Sequence, residues 1–132
     1  MEHRREITYV TGDATQPQGE GRIIIPHICN DVGAWGAGFV LALSKKWKGP
    51  EETYRKAKKS LGLGLVQFVR VEDNIWVANM VAQHDIRPDE NDRSPIRYNA
   101  LKTCLFTVSE MAIEVNASIH MPRIGAGLAG VS

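Results

Sequence analysis

Residues 22 to 29, RIIIPHIC, form a β-branched run without polar alternation, and such a run reads as a strand buried on both faces. A strand of that kind needs helices over both faces, which confines the chain to a layered α/β fold. The next stretch of chain is equally constraining. HICNDVGAWGAGFVLAL passes from a polar cluster (His27, Asn30, Asp31) through three glycines and a tryptophan into Val40, Leu43 and Trp47 at helical spacing. Glycines at a strand-to-helix junction let backbone N–H groups approach a ligand closely. A helix beginning near Ala37 adds its unpaired N–H groups and the positive end of its dipole.

The other segments fit the same plan. Residues 7 to 11, ITYVT, read as a strand ending at Gly12-Asp13. Gly49-Pro50 closes the first helix, and Pro50 opens a second, PEETYRKAKKSL, with acidic residues in its first turn. LVQFVRVEDNIWVANMVA predicts two strands, residues 65 to 71 and 75 to 82, around a Glu-Asp-Asn turn. QHDIRPDENDRSP is a loop, with Ser94 as N-cap and Pro95 as first position of the next helix. Ile96, Ala100, Leu101, Cys104, Leu105, Val108, Met111, Ala112 and Val115 give that helix its apolar face. A last strand, SIHMPRI, runs into GAGLAGVS. The order β, β, α, α, β, β, α, β implies a three-layer α/β/α fold with a mixed, largely parallel central sheet.

A length of 132 residues suits one domain, spanning residues 1 to 132. Net charge is +1, so the chain as a whole carries no strong signal for nucleic acid. The lysine-rich KKWKGPEETYRKAKK is interrupted by acids and reads as a solvated helix face. No apolar run is long enough to span a bilayer, which argues against a membrane partner. The charged N-terminus lacks a signal-peptide core, so a cytoplasmic location is expected. Cys29 and Cys104 are expected to be buried and reduced. Without C-x-x-C or H-x-x-x-H, neither a metal nor another cofactor is expected.

In open α/β sheets, ligands sit beyond the carboxyl ends of the strands, and two strands here end in glycine-rich loops, GAWGAG and GAGLAG. Two converging loops of this kind can grip a diphosphate. Neither has the full dinucleotide spacing G-x-G-x-x-G, and there is no Gly-Lys-Ser/Thr of a Walker A loop.

ITYVTGD, HICNDVGAWGAGFV and MPRIGAG, in this order and spacing, resemble the macrodomain family. The closer likeness is to the branch containing the terminal ADP-ribose protein glycohydrolase and the yeast ADP-ribose-1″-phosphate phosphatase. The resemblance implies an ADP-ribose ligand, or an ADP-ribosylated substrate. It gives Asp13 to the adenine amino group, with the Ala14 backbone beside it, and Asn30 to the distal ribose. His27 falls where the family places pocket residues; a buried histidine satisfied by backbone is the alternative. The first phosphate loop would be Gly33, Ala34, Trp35, Gly36, Ala37 and Gly38. The second would run from Pro122 and Ile124 into Gly125, Ala126, Gly127 and Leu128. Trp35 either covers the ligand or joins the core, and its place inside the loop favours the ligand.

The chain departs from that branch in two ways. The glycohydrolase's catalytic lysine is matched by Gln83, at a pocket position, and its aspartate by Ala129, so chemistry through a lysine adduct is not expected. The expected activity is hydrolysis of substituents at the distal ribose through His27, Asn30 and Asp31. His84 and Asp85 are further acid/base candidates, and a non-catalytic ADP-ribose-binding module is the alternative. The chain is also expected to lack the family's last helix and strand. Loss of that strand would leave a slot beside the first one, which the first strand can close by pairing directly with SIHMPRI, a partner chain can fill with an exchanged strand, or further native sequence, the option favoured here, can occupy.

Overall fold

The β-branched run becomes the middle of a sheet. The computed structural model describes residues 7–8, 21–36, 38–85 and 95–122. Its strands are β1 (Ile7–Thr8), β2 (Arg22–Asn30), β3 (Val66–Glu72), β4 (Ile75–Gln83) and β5 (Ala117–His120). They lie in the order β1-β5-β2-β4-β3. All neighbours are parallel except β3 and β4, which form a hairpin. The sheet is therefore mixed and largely parallel, as expected.

Among the described residues three helices cover it: α1 (Phe39–Lys46), α2 (Gly49–Lys56) and α3 (Tyr98–Val115). Because strand side chains alternate between faces, β2 feeds two cores at once. Ile23, Ile25 and Cys29 pack with Val40, Leu43 and Tyr54 under α1 and α2. Ile24 packs with Ala100, Cys104, Val108 and Ala112 of α3 on the other side. The fold class is a three-layer α/β/α arrangement. Both cysteines are free and buried.

Several element boundaries differ from the expectation. Helix α1 starts at Phe39, after Gly38, rather than near Ala37. It ends at Lys46, leaving Trp47 at its C-cap in extended backbone. Helix α2 stops at Lys56, and the chain tightens into a 3₁₀ turn, Lys58–Ser60. Helix α3 begins at Tyr98, not at Pro95. The backbone before it pairs with the end of β4 instead: His84 N–H donates to Pro95 O and Arg97 N–H to Ala82 O, each at 2.8 Å. Those bonds hold 95–97 extended and delay the helix. Asn116 closes α3 in the left-handed conformation, φ 56°, which asparagine tolerates.

Strand β1 pairs directly with β5, Ile7 opposite Ile119 and Thr8 opposite His120. Over these residues the first strand closes directly onto the last, the first of the three ways of filling the slot, and not the favoured one.

Candidate functional site

Parallel pairing brings the carboxyl ends of β5, β2 and β4 to one end of the sheet. Asn30 and Gln83 stand opposite each other there, with Asp31 and His84 following them, while β5 ends at His120 and Pro122 leads on toward the second loop. Asp13, Ala14, Ala37, Ile124 and Gly125 to Leu128 lie outside the described residues, as do Ala129 and Ser94.

The first loop is built around Asn30. Register slips by one residue between Cys29 and Asn30, and the chain then leaves the strand. Asn30 Oδ1 accepts from the N–H groups of Val32 and Ala34, each at 3.1 Å, and its amide donates to Ala34 O. The Tyr54 hydroxyl lies 2.6 Å from Asn30 O and 2.8 Å from Oδ1. A nearly buried side chain so engaged acts as the template of the loop. Gly33 and Gly38, with φ of 80° and 82°, make the reversals that Cβ-bearing residues resist.

Asp31 joins this loop to the end of β4. Its N–H donates to Gln83 O at 2.9 Å, its Oδ1 accepts from Asp85 N–H at 2.9 Å, and its Oδ2 lies 2.7 Å from His84 Nδ1. Burial acts to raise the Asp31 pKa, but the Asp85 N–H and His84 together hold it below the usual carboxylate range. The carboxylate is therefore ionised at neutral pH, and His84 Nδ1 must carry the shared hydrogen. In the neutral ring, Nε2 then bears the lone pair. The His84 side chain is 56% exposed, so the imidazole is reachable from solvent. Asp85 completes the turn at φ 61°. Gln83 Nε2 donates to Asp85 O at 2.9 Å, bracing the same turn.

Two expected ligand-facing residues turn inward. Trp35 is 6% exposed and packs in the core, with its ring 5.3 Å from that of Tyr54. Its indole N–H donates to Ser44 Oγ at 2.7 Å, and Ser44 in turn donates to Glu51 at 2.7 Å. The ligand-covering role favoured for it is corrected to a core role. The aromatic ring gains more from burial beside Tyr54 and His27 than from exposure in the loop.

His27, expected to be catalytic, is 3% exposed. Its Nε2 donates to Asn79 Oδ1 at 2.6 Å, and its ring stands edge-on to Trp35 at 5.4 Å and tilted against Phe39 at 5.7 Å. Asn79 is anchored by donating to Pro50 O at 3.0 Å and Gln67 Oε1 at 3.1 Å. The structure thus takes the alternative of a buried, satisfied histidine, with a side-chain partner in place of backbone. Burial lowers the His27 pKa to about 4, against the opposing effect of its hydrogen bond to Asn79, so the ring is neutral at physiological pH. Cys29, between His27 and Asn30, is no nucleophile either. Burial, then Cys104, pushes its thiol up.

The buried imidazole has a consequence for stability. Below pH 6.5 the unfolded chain binds a proton at His27 that the folded chain refuses until about pH 4. Acidification through that window should cost about 1.4 kcal/mol per pH unit, on the order of 3 kcal/mol in all. Burial also lowers the His120 pKa, which adds in the same direction. Urea midpoints measured from pH 7 to 4.5 should fall less steeply for His27→Gln than for the parent; parallel curves would refute the assignment.

Sequence reasoning missed Tyr54 and Asn79. Each carried a signal: Tyr54 is the one aromatic residue in a charged helix, and Asn79 the one polar side chain within IWVANMVA.

The fold is shared with known proteins. A solved protein of unknown function from Bacteroides thetaiotaomicron is 55% identical, with a TM-score of 0.92 over 98% of this chain and 85% of that one. A macrodomain protein from Streptomyces coelicolor is 49% identical, with a TM-score of 0.81 over 91% of this chain and 80% of that one. The chain belongs to the macrodomain family. No family model matches it. Among curated relatives, mouse "Chromodomain-helicase-DNA-binding protein 1-like" is 36% identical over 94% of this chain, which spans only 15% of that protein's length. The "ADP-ribose 1''-phosphate phosphatase" of Candida albicans is 28% identical over 95% of this chain and 85% of its own length. Among the described residues, no helix is long and apolar enough to cross a membrane.

Proposed function

We propose that this protein binds ADP-ribose at the carboxyl end of its sheet and hydrolyses a substituent, a phosphate or an ester, from the distal ribose. The observation that carries the reading is the carboxylate–histidine pair Asp31–His84, 2.7 Å apart, next to a glycine loop organised by Asn30. For a phosphate substituent, water attacks phosphorus and loses its proton to His84 Nε2. The P–O bond to the ribose breaks, the leaving oxygen takes a proton from solvent, and the His84 imidazolium returns its proton to solvent, giving ADP-ribose and inorganic phosphate. Asp31 holds the imidazole in the required tautomer and stabilises the imidazolium that forms. His27 and Trp35 support the loop from beneath as positioning residues. The relatives named phosphatases, and the absence of a lysine at position 83, agree with a water-based rather than an amine-based reaction.

Calorimetric titration should give ADP-ribose a much tighter affinity than AMP, since AMP lacks the second phosphate and the distal ribose. Equal affinities would sink the reading. Incubation with ADP-ribose-1″-phosphate should release inorganic phosphate.

A further inference from the structure

We propose that Lys58 recognises a negative charge on the substituent at the distal ribose, making phosphomonoesters the preferred substrates over neutral esters. The inference rests on the ADP-ribose reading and deepens it. Gly33 is buried at the start of the glycine loop. A Cβ placed on it would stand 2.6 Å from Lys58 Cγ, 3.2 Å from Cδ and 3.4 Å from Cβ. Three consecutive carbons of the lysine stem therefore run across the bare Cα of Gly33, and the ammonium, two bonds past Cδ, remains within reach of the loop. Glycine at 33 serves two purposes: it takes the positive φ and it leaves room for this stem.

The charge is available. Among the described residues no carboxylate pairs with Lys58, whereas Arg55, one helical turn earlier, is taken by Glu51 at 2.7 Å. Its position along the loop indicates which part of the ligand it meets. Gly33 lies two residues after Asp31, while Gly38 precedes helix α1 at the other end of the loop. The cation therefore belongs to the end where the scissile bond must face His84, rather than to the helix end of the loop. A cation is needed there for a further reason. Asp31 is ionised, so a phosphate entering beside it meets like charge, and Lys58 offsets that repulsion.

The test compares ADP-ribose with ADP-ribose-1″-phosphate by calorimetry at fixed salt, with His84→Ala as the parent so that the phosphorylated ligand is not consumed, alone and combined with Lys58→Met or Lys58→Arg. Methionine keeps much of the stem and removes the charge, and position 58 is exposed, so folding should be unaffected. Lys58→Met should weaken the phosphorylated ligand about tenfold and ADP-ribose by no more than about twofold, with Lys58→Arg near the parent. The parent's preference for the phosphorylated ligand should also shrink as salt is raised. Equal loss for both ligands would assign the cation to the diphosphate and overturn the proposal, as would no loss for either. A parent that fails to bind ADP-ribose at all would instead overturn the reading on which the proposal rests.

Discussion

Replacing Asn30 with alanine should cost about 2 to 4 kcal/mol of stability and abolish ADP-ribose binding. The side chain serves the loop at both ends of its amide. Without it the N–H groups of Val32 and Ala34 and the carbonyl of Ala34 lose their partners, while the Tyr54 hydroxyl keeps the Asn30 carbonyl. Part-buried groups left unpaired cost about 1 to 3 kcal/mol each where water cannot reach them, and less where it can. The loop then loses the conformation that aims its backbone at a ligand. Urea midpoints and calorimetric titration read the two effects separately. Asn30→Asp keeps the acceptor but sets a carboxylate against Ala34 O and near Asp31, and should fall between the two. An unchanged midpoint in Asn30→Ala would show that the loop is held by other contacts.

The largest kinetic effect is expected at the pair Asp31–His84. His84→Ala removes the group that takes the proton from water, and the rate of phosphate release from ADP-ribose-1″-phosphate should fall about 100-fold or more. Asp31→Asn leaves a side chain of the same shape that can still accept from Nδ1, but it removes the charge that stabilises the imidazolium. It also removes one acceptor from the Asp85 N–H or the imidazole, so the rate should fall by a comparable factor. ADP-ribose affinity should change little in His84→Ala, since the side chain is exposed and sits at the reacting end. Asp31 is held ionised below the usual carboxylate range, so its charge is in place at neutral pH. A full rate in both variants would place the chemistry elsewhere. A parent that binds ADP-ribose but releases no phosphate would identify a binding module.

The layers of this protein were legible in the sequence because their causes are local. RIIIPHIC can be buried on both faces only between helical layers, and the apolar positions from Ala100 to Val115 recur at helical spacing. The glycine loop between strand and helix was equally visible, since a positive φ at Gly33 and Gly38 is a property of single residues. Side-chain direction at the site was not. Trp35 looked free to meet a ligand from its place in the loop, yet Ser44, Tyr54 and His27 converge to form a buried slot for it. His27 looked available beside Asn30, but Asn79, 52 residues away, claims its nitrogen. The start of α3 likewise moved because the end of β4 captured the backbone of 95–97. Asp31 and His84 were both visible as acid/base candidates, but 53 residues separate them in the chain. Only the parallel pairing of β2 with β4 brings their strand ends together, and strand order depends on burying both faces of the sheet at once, a condition that no local pattern encodes.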